Sequence, residues 1–95
     1  MICNEVKLSL HAAQRMTQRS VSWDDLLQVV EHGVIVEDYP DDLPLPSRLL
    51  LGSVHGRPLH VVVAAEPDGS LCVIVTVYQP DNVVWLDDFI QRRKP

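Results

Sequence analysis

Ser22-Trp23-Asp24-Asp25-Leu26-Leu27-Gln28-Val29-Val30-Glu31-His32-Gly33-Val34-Ile35-Val36-Glu37-Asp38-Tyr39 decides the fold class. Trp23, Leu26, Leu27 and Val30 stand at i, i+3, i+4 and i+7, one apolar stripe of a helix. Ser22 with Asp25 has the capping-box spacing, and Val21 with Leu26 suits a hydrophobic staple. Asp24 and Asp25 suit the positive end of the helix dipole and His32 the negative end. Gly33 is the expected left-handed stop. After it the period falls from 3.6 to about 2, and Val34 to Tyr39 reads as a strand.

N-terminal to this stretch, Ser9 caps an expected helix from Leu10 to Arg19. C-terminal to it, three prolines between Pro40 and Pro46 forbid both helix and central strand. Ser47 to Val54 and Pro58 to Ala65 read as strands joined by a His55-Gly56 turn. Pro67-Asp68-Gly69-Ser70 is a further turn, and Leu71 to Tyr78 is the fourth strand. Val83 to Arg93, with Trp85 and Phe89 four apart, reads as a short closing helix. The expected fold is α+β, with two N-terminal helices packed on a four-stranded antiparallel sheet and a short C-terminal helix. Simple alternation puts Val61, Val63, Val73, Val75 and Val77 on one sheet face. It puts His60, Val62, Cys72, Ile74, Thr76 and Tyr78 on the other.

The 95 residues suffice for a single domain, 1–95. With 46% hydrophobic and 22% charged residues the composition is globular. No uninterrupted apolar run exceeds five residues, as in Val61 to Ala65, whereas a membrane-spanning helix needs about 20. Neither a signal peptide nor a membrane span is expected. Cys3 and Cys72 lie far apart without a CxxC, which points to a reducing, cytoplasmic setting. The net charge of −5 argues against a non-specific nucleic-acid binder. Its distribution is uneven. Val6 to Trp23 contains no acid but holds Lys7, Arg15 and Arg19, and the tail holds Arg92, Arg93 and Lys94. Glu37, Asp38, Asp41 and Asp42 crowd the middle.

His11, Arg15 and Arg19 step by four along the first helix and form one polar, cationic stripe. Histidine moves protons near neutral pH, and arginine forks match phosphate oxygens. That is a kit for cleaving RNA, because the RNA supplies its own 2′-OH nucleophile and needs neither a protein nucleophile nor a metal. In the bland alternative the arginines pair with the acidic loop and His11 merely starts the helix. Tyr78, at a strand end, is a candidate for positioning the scissile group. Arg57 beside the hairpin and Lys7 ahead of the first helix are candidates for substrate binding. His60 reads as a core or sheet-edge histidine and His55 as a solvated one. No HxxxH, HExxH or paired cysteine supports a metal site, and no cofactor is implied.

The stretch Leu8-Ser9-Leu10-His11-Ala12-Ala13-Gln14-Arg15-Met16-Thr17-Gln18-Arg19-Ser20-Val21 resembles the HAxxRMxxRgI signature of a family of small bacterial and archaeal domains of unknown function. The stretches around Tyr39 to Ser47, Leu49 to Gly52, Gly56 to Val63 and Ile74 to Tyr78 resemble it too. So do Trp85-x-x-Asp88-Phe89 and Arg92-Arg93. That family is grouped with the RelE-like nucleases of the barnase–EndoU–colicin–RelE superfamily and is similar to the MqsR and BrnT toxins. The resemblance implies a RelE-like fold and a metal-independent endoribonuclease, the toxin of a type II toxin–antitoxin pair. It implies RNA, mRNA above all, as substrate. Its partner would be a cognate zinc-finger or helix-turn-helix antitoxin. His11, Arg15 and Arg19 match the signature, and Tyr78 matches the aromatic ending the last strand. Ser20-Val21 replaces the usual Gly-Ile, which suits a serine only where the turn needs no left-handed backbone. The alternative function is a catalytically inactive form of the fold acting as a protein-binding module.

Overall fold

The computed structural model describes residues 1–94. Strand β1 spans Glu5–Leu8, helix α1 Leu10–Arg19 and helix α2 Trp23–His32. Strands β2 Val34–Tyr39, β3 Ser47–Val54, β4 Arg57–Ala65 and β5 Leu71–Tyr78 follow. The strands form one sheet of order β1-β5-β4-β3-β2. The expectation of a four-stranded antiparallel sheet with a closing helix is therefore corrected in two places. The sheet has a fifth strand, β1, which runs parallel to β5. No C-terminal helix forms among the described residues.

Both differences have local causes. β1 is only four residues long, too short for alternation to stand out, and it gains its hydrogen bonds from a strand some 65 residues away. In the C-terminal segment the carboxylates compete with a helix for backbone donors. Asp81 Oδ1 accepts the N–H groups of Val83 and Val84, and Asp88 Oδ1 accepts those of Ile90 and Gln91. Phe89 takes a left-handed φ of 57°, and an isolated bridge joins Trp85 to Arg92. Residues 81–93 thus fold as linked turns lying on the sheet. Asp88 is one of the groups that hold them.

The two helices begin as their caps dictate. Ser9 accepts the N–H of Ala12, and Ser22 and Asp25 complete a reciprocal capping box. Their ends reverse the expectation. Ser20 takes the left-handed conformation, φ 55° and ψ 48°, while Gly33 is extended at φ −65°. Gly33 is needed for space instead, since a Cβ there would sit 2.5 Å from the Val29 carbonyl oxygen. The buried face of α2 is Leu26, Val29 and Val30, whereas Trp23 at the helix start is 38% exposed. Between β3 and β4, His55 and Gly56 both have positive φ, as a two-residue primed turn requires.

A bulge in β5 reassigns the sheet faces. Val62 pairs with Thr76 but Val63 pairs with Ile74, which leaves Val75 as the extra residue, exposed. Cys72, Ile74 and Val77 consequently join Leu59, Val61 and Val63 in the core beneath the helices. Strict alternation had separated Cys72 and Ile74 from Val77, so that assignment is corrected. His60, Thr76 and Tyr78 remain on the opposite face. The β1–β5 pairing sets Val6 beside Cys72, and Cys3 forms a disulfide with Cys72. No helix of the described residues is long and apolar enough to cross a membrane.

Candidate functional site

The first turn of α1 docks on β5 at the bulge. The Ser9 hydroxyl donates to the Val75 carbonyl, 3.0 Å, and His11 Nε2 lies 3.0 Å from Thr76 Oγ1. Thr76 and Tyr78 alternate on one sheet face, about 7 Å apart along the strand. The structure therefore brings His11 and Tyr78 to the same end of β5. The arginines of the stripe run away from that point. Arg15 Nη1 donates to Gln18 Oε1 at 2.9 Å. Arg19 sits two turns beyond His11, about 12 Å along the helix axis. Among the described residues neither arginine forms an ion pair. The acidic stretch pairs elsewhere, Glu37 with Arg92 and Asp38 with Arg48.

The two auxiliary cations are engaged within the fold. Arg57 donates from Nη1 to the Arg19 carbonyl, 2.8 Å, and from Nη2 to the Ser20 carbonyl, 2.7 Å. A guanidinium there satisfies the last carbonyls of α1 and complements the negative end of its dipole. It also holds Ser20 in its left-handed geometry. Lys7 faces Glu5 at 3.6 Å on the exposed edge of the sheet.

Around Tyr78 the structure assembles a cluster in which only Tyr78 was picked out from sequence. His60 is fully buried. Its Nε2 lies 2.8 Å from the Phe89 carbonyl, which can only accept, so Nε2 carries the proton. Burial pushes His60 below the usual histidine range and keeps the ring neutral. Nδ1 is then an acceptor, and the Tyr78 hydroxyl donates to it at 3.0 Å. Burial likewise raises Tyr78, so the phenol stays protonated. Trp85 packs edge-on against His60 with centroids 4.7 Å apart, and the Arg92 guanidinium lies 4.6 Å above the indole. Arg92 Nε donates to Glu37 Oε1 at 2.8 Å, and the Tyr39 hydroxyl donates to Glu37 Oε2. The hydrogen bonds from Arg92 and then Tyr39 hold Glu37 below the usual carboxylate range.

A shallow cavity of about 200 Å³ opens beside this cluster, lined by Tyr78, Gln79, Pro80, Asp81, Val84, Trp85 and Arg92. Its chemistry is a phenol of fixed direction, an indole and a guanidinium. A larger cleft of about 340 Å³ lies at the other end of the sheet, between Asp38, Arg48 and Glu66, and contains none of the candidate residues. Among the described residues no three His, Cys, Asp or Glu side chains converge on a metal position. His60 was readable from sequence as buried. Trp85 and Arg92 fall in stretches that carry the family resemblance and Glu37 in the acidic run, but no local pattern marks them as one site, because their meeting depends on turns that return the C-terminal segment across the sheet.

No curated protein and no solved structure matches this chain. A family model does match, over residues 8–79, from the last residue of β1 to the residue after Tyr78. That span takes in His11, Arg15, Arg19, His60 and Tyr78 and leaves out Trp85 and Arg92. The chain thus belongs to the family described as Domain of unknown function (DUF4258).

Proposed function

We propose that the protein is a metal-independent endoribonuclease, the toxin of a type II toxin–antitoxin pair. The observation that carries this reading is the meeting of His11 with the Thr76–Tyr78 end of β5, next to a phenol whose direction is fixed by a buried neutral histidine. The resemblance of the His11–Arg15–Arg19 stretch to the signature of a family grouped with the RelE-like nucleases, and similar to the MqsR and BrnT toxins, supports it. His11 takes the proton of the RNA 2′-OH as the O2′–P bond forms. The P–O5′ bond breaks, and the 5′-oxygen leaves as a hydroxyl with the proton returned from the imidazolium. Arg15, free of any carboxylate, clamps the phosphorane oxygens, and Arg19 holds a neighbouring phosphate. Tyr78 positions the scissile group. The partner is a cognate antitoxin, and the setting is the cytoplasm, where RNA is available. The Cys3–Cys72 disulfide speaks against that setting, since cytoplasmic thiols stay reduced.

The test is incubation of antitoxin-free protein with cellular RNA in EDTA, followed by mapping of the product ends. The expected products carry a 2′,3′-cyclic phosphate and a 5′-hydroxyl. His11→Ala is expected to lose activity by roughly 10²–10⁴-fold. Full activity in that variant removes the base. Absence of cleavage favours the second reading, a protein-binding module, which Arg57 supports by donating its fork to Arg19 and Ser20 rather than holding it free for phosphate.

A further inference from the structure

The two edges of the sheet are unlike. β1 is short, carries Lys7 and offers little to pair with, which is the usual protection of an edge. β2 is six residues long, and Val34 and Ile35 are 52% and 51% exposed. β3 occupies its inner side. Among the described residues no loop backbone hydrogen bond reaches its outer side short of Tyr39, which accepts from Asp42. Pairing shifts between Ile35 and Glu37, so a bulge at Val36 interrupts the strand, and the outward backbone groups on either side of it take no bond from the described loops before Tyr39.

The charge around this edge selects what can pair there. Between Ser20 and Ser47 the chain holds Asp24, Asp25, Glu31, Glu37, Asp38, Asp41 and Asp42 and no lysine or arginine. Arg48 and Arg92 fold back to pair Asp38 and Glu37. His32 faces Glu31 and His55 faces Asp25, each as a cation only when protonated. Asp24 and Asp25 lie at the far end of α2, with Asp25 buried in its capping box, so Glu31, Asp41 and Asp42 are the carboxylates without an arginine partner among the described residues that flank this strand. Glu31 stands before the first residue of β2, and Asp41 and Asp42 stand after its last. A second copy of the chain, paired edge to edge, would bring these groups against one another. A strand bearing lysine or arginine meets the opposite field.

We propose that the outer edge of β2 is a docking site for an extended, basic segment of a protein partner, added as a sixth strand. Main-chain hydrogen bonds would hold it, Val34 and Ile35 would give it apolar contact, and the flanking carboxylates would select its charge. Val34 and Ile35 stand on the opposite side of the sheet from β5, whereas Glu37 and Tyr39 reach the Tyr78 cluster through Arg92, so the edge is tested by peptide binding at Val34 and Ile35 and does not rest on the nuclease reading.

The probe is a fluorescent peptide of alternating lysine and valine, about 7 residues long to match the strand. Two controls accompany it, an alternating glutamate–valine peptide and the lysine peptide with alternate amides N-methylated. The lysine peptide should bind, and either control should bind at least about tenfold more weakly. Amides of residues 34–39 should gain hydrogen-exchange protection in the complex. Glu31→Lys with Asp41→Lys, both exposed positions, should weaken the lysine peptide about tenfold while leaving the fold intact by circular dichroism. Equal binding of the N-methylated peptide would show charge attraction without strand addition and would overturn the proposal. So would equal binding of the glutamate peptide, protection elsewhere, no binding at about 1 mM, or self-association of the chain through residues 34–39.

Discussion

Replacing Tyr78 by phenylalanine removes one oxygen and leaves the ring in place. The consequence falls on His60. Its Nε2–H is committed to the Phe89 carbonyl, so Nδ1 loses the one donor that reaches it among the described residues and remains in a fully buried ring. A buried acceptor left unsatisfied costs about 1–3 kcal/mol. For a chain of 95 residues the unfolding entropy is about 0.2 kcal/mol/K, so Tyr78→Phe should lower Tm by roughly 5–15 °C. Urea unfolding at neutral pH measures the free energy directly. The double variant His60→Leu with Tyr78→Phe should cost less than the sum of the single variants, because it removes both partners together. A loss below about 0.5 kcal/mol in Tyr78→Phe, or strict additivity in the cycle, would refute the proton assignment on which this cluster rests.

Protonation of His60 is disfavoured by burial, so the unfolded chain binds its proton first as pH falls. Stability from this group is fully present above the unfolded histidine value of about 6.5 and declines below it, which urea midpoints between about pH 7.5 and 5 should show, with the decline reduced in His60→Leu. Ser20→Gly should raise stability by about 0.5–1 kcal/mol in thermal unfolding, because the left-handed φ of 55° disfavours any side chain; a loss would mean that the Ser20 hydroxyl has a role of its own. Reduction of Cys3–Cys72, which closes a span of 69 residues, should destabilise the fold by about 2–5 kcal/mol, read by unfolding with and without reductant. Gly52→Ala should cost about 1–3 kcal/mol, since its Cβ would lie 2.6 Å from Val29 Cγ2 and push α2 off the sheet, whereas Gly56→Asn, in open space at a turn, should be nearly neutral.

The elements were largely legible because their determinants are local. Ser9 and Ser22 start helices through hydrogen bonds to residues three positions on. The switch from a 3.6 to a 2 period at Gly33 and the His55-Gly56 turn likewise need no distant partner. The stripe His11–Arg15–Arg19 follows from helical geometry alone. What sequence could not supply was every feature created by contact between distant segments. β1 exists because β5 offers it an edge, and that pairing joins Cys3 to Cys72. The bulge at Val75 transfers Cys72 and Ile74 to the other sheet face from the one alternation predicts. Arg57 is placed by the hairpin against carbonyls 37 and 38 residues earlier in the chain. The C-terminal turns return Phe89, Trp85 and Arg92 to His60, a meeting no local pattern encodes. Periodicity reports which side of an element is apolar. Register, bulges and the return path of a loop are fixed by the packing of the whole chain, and they decide which polar groups share a site.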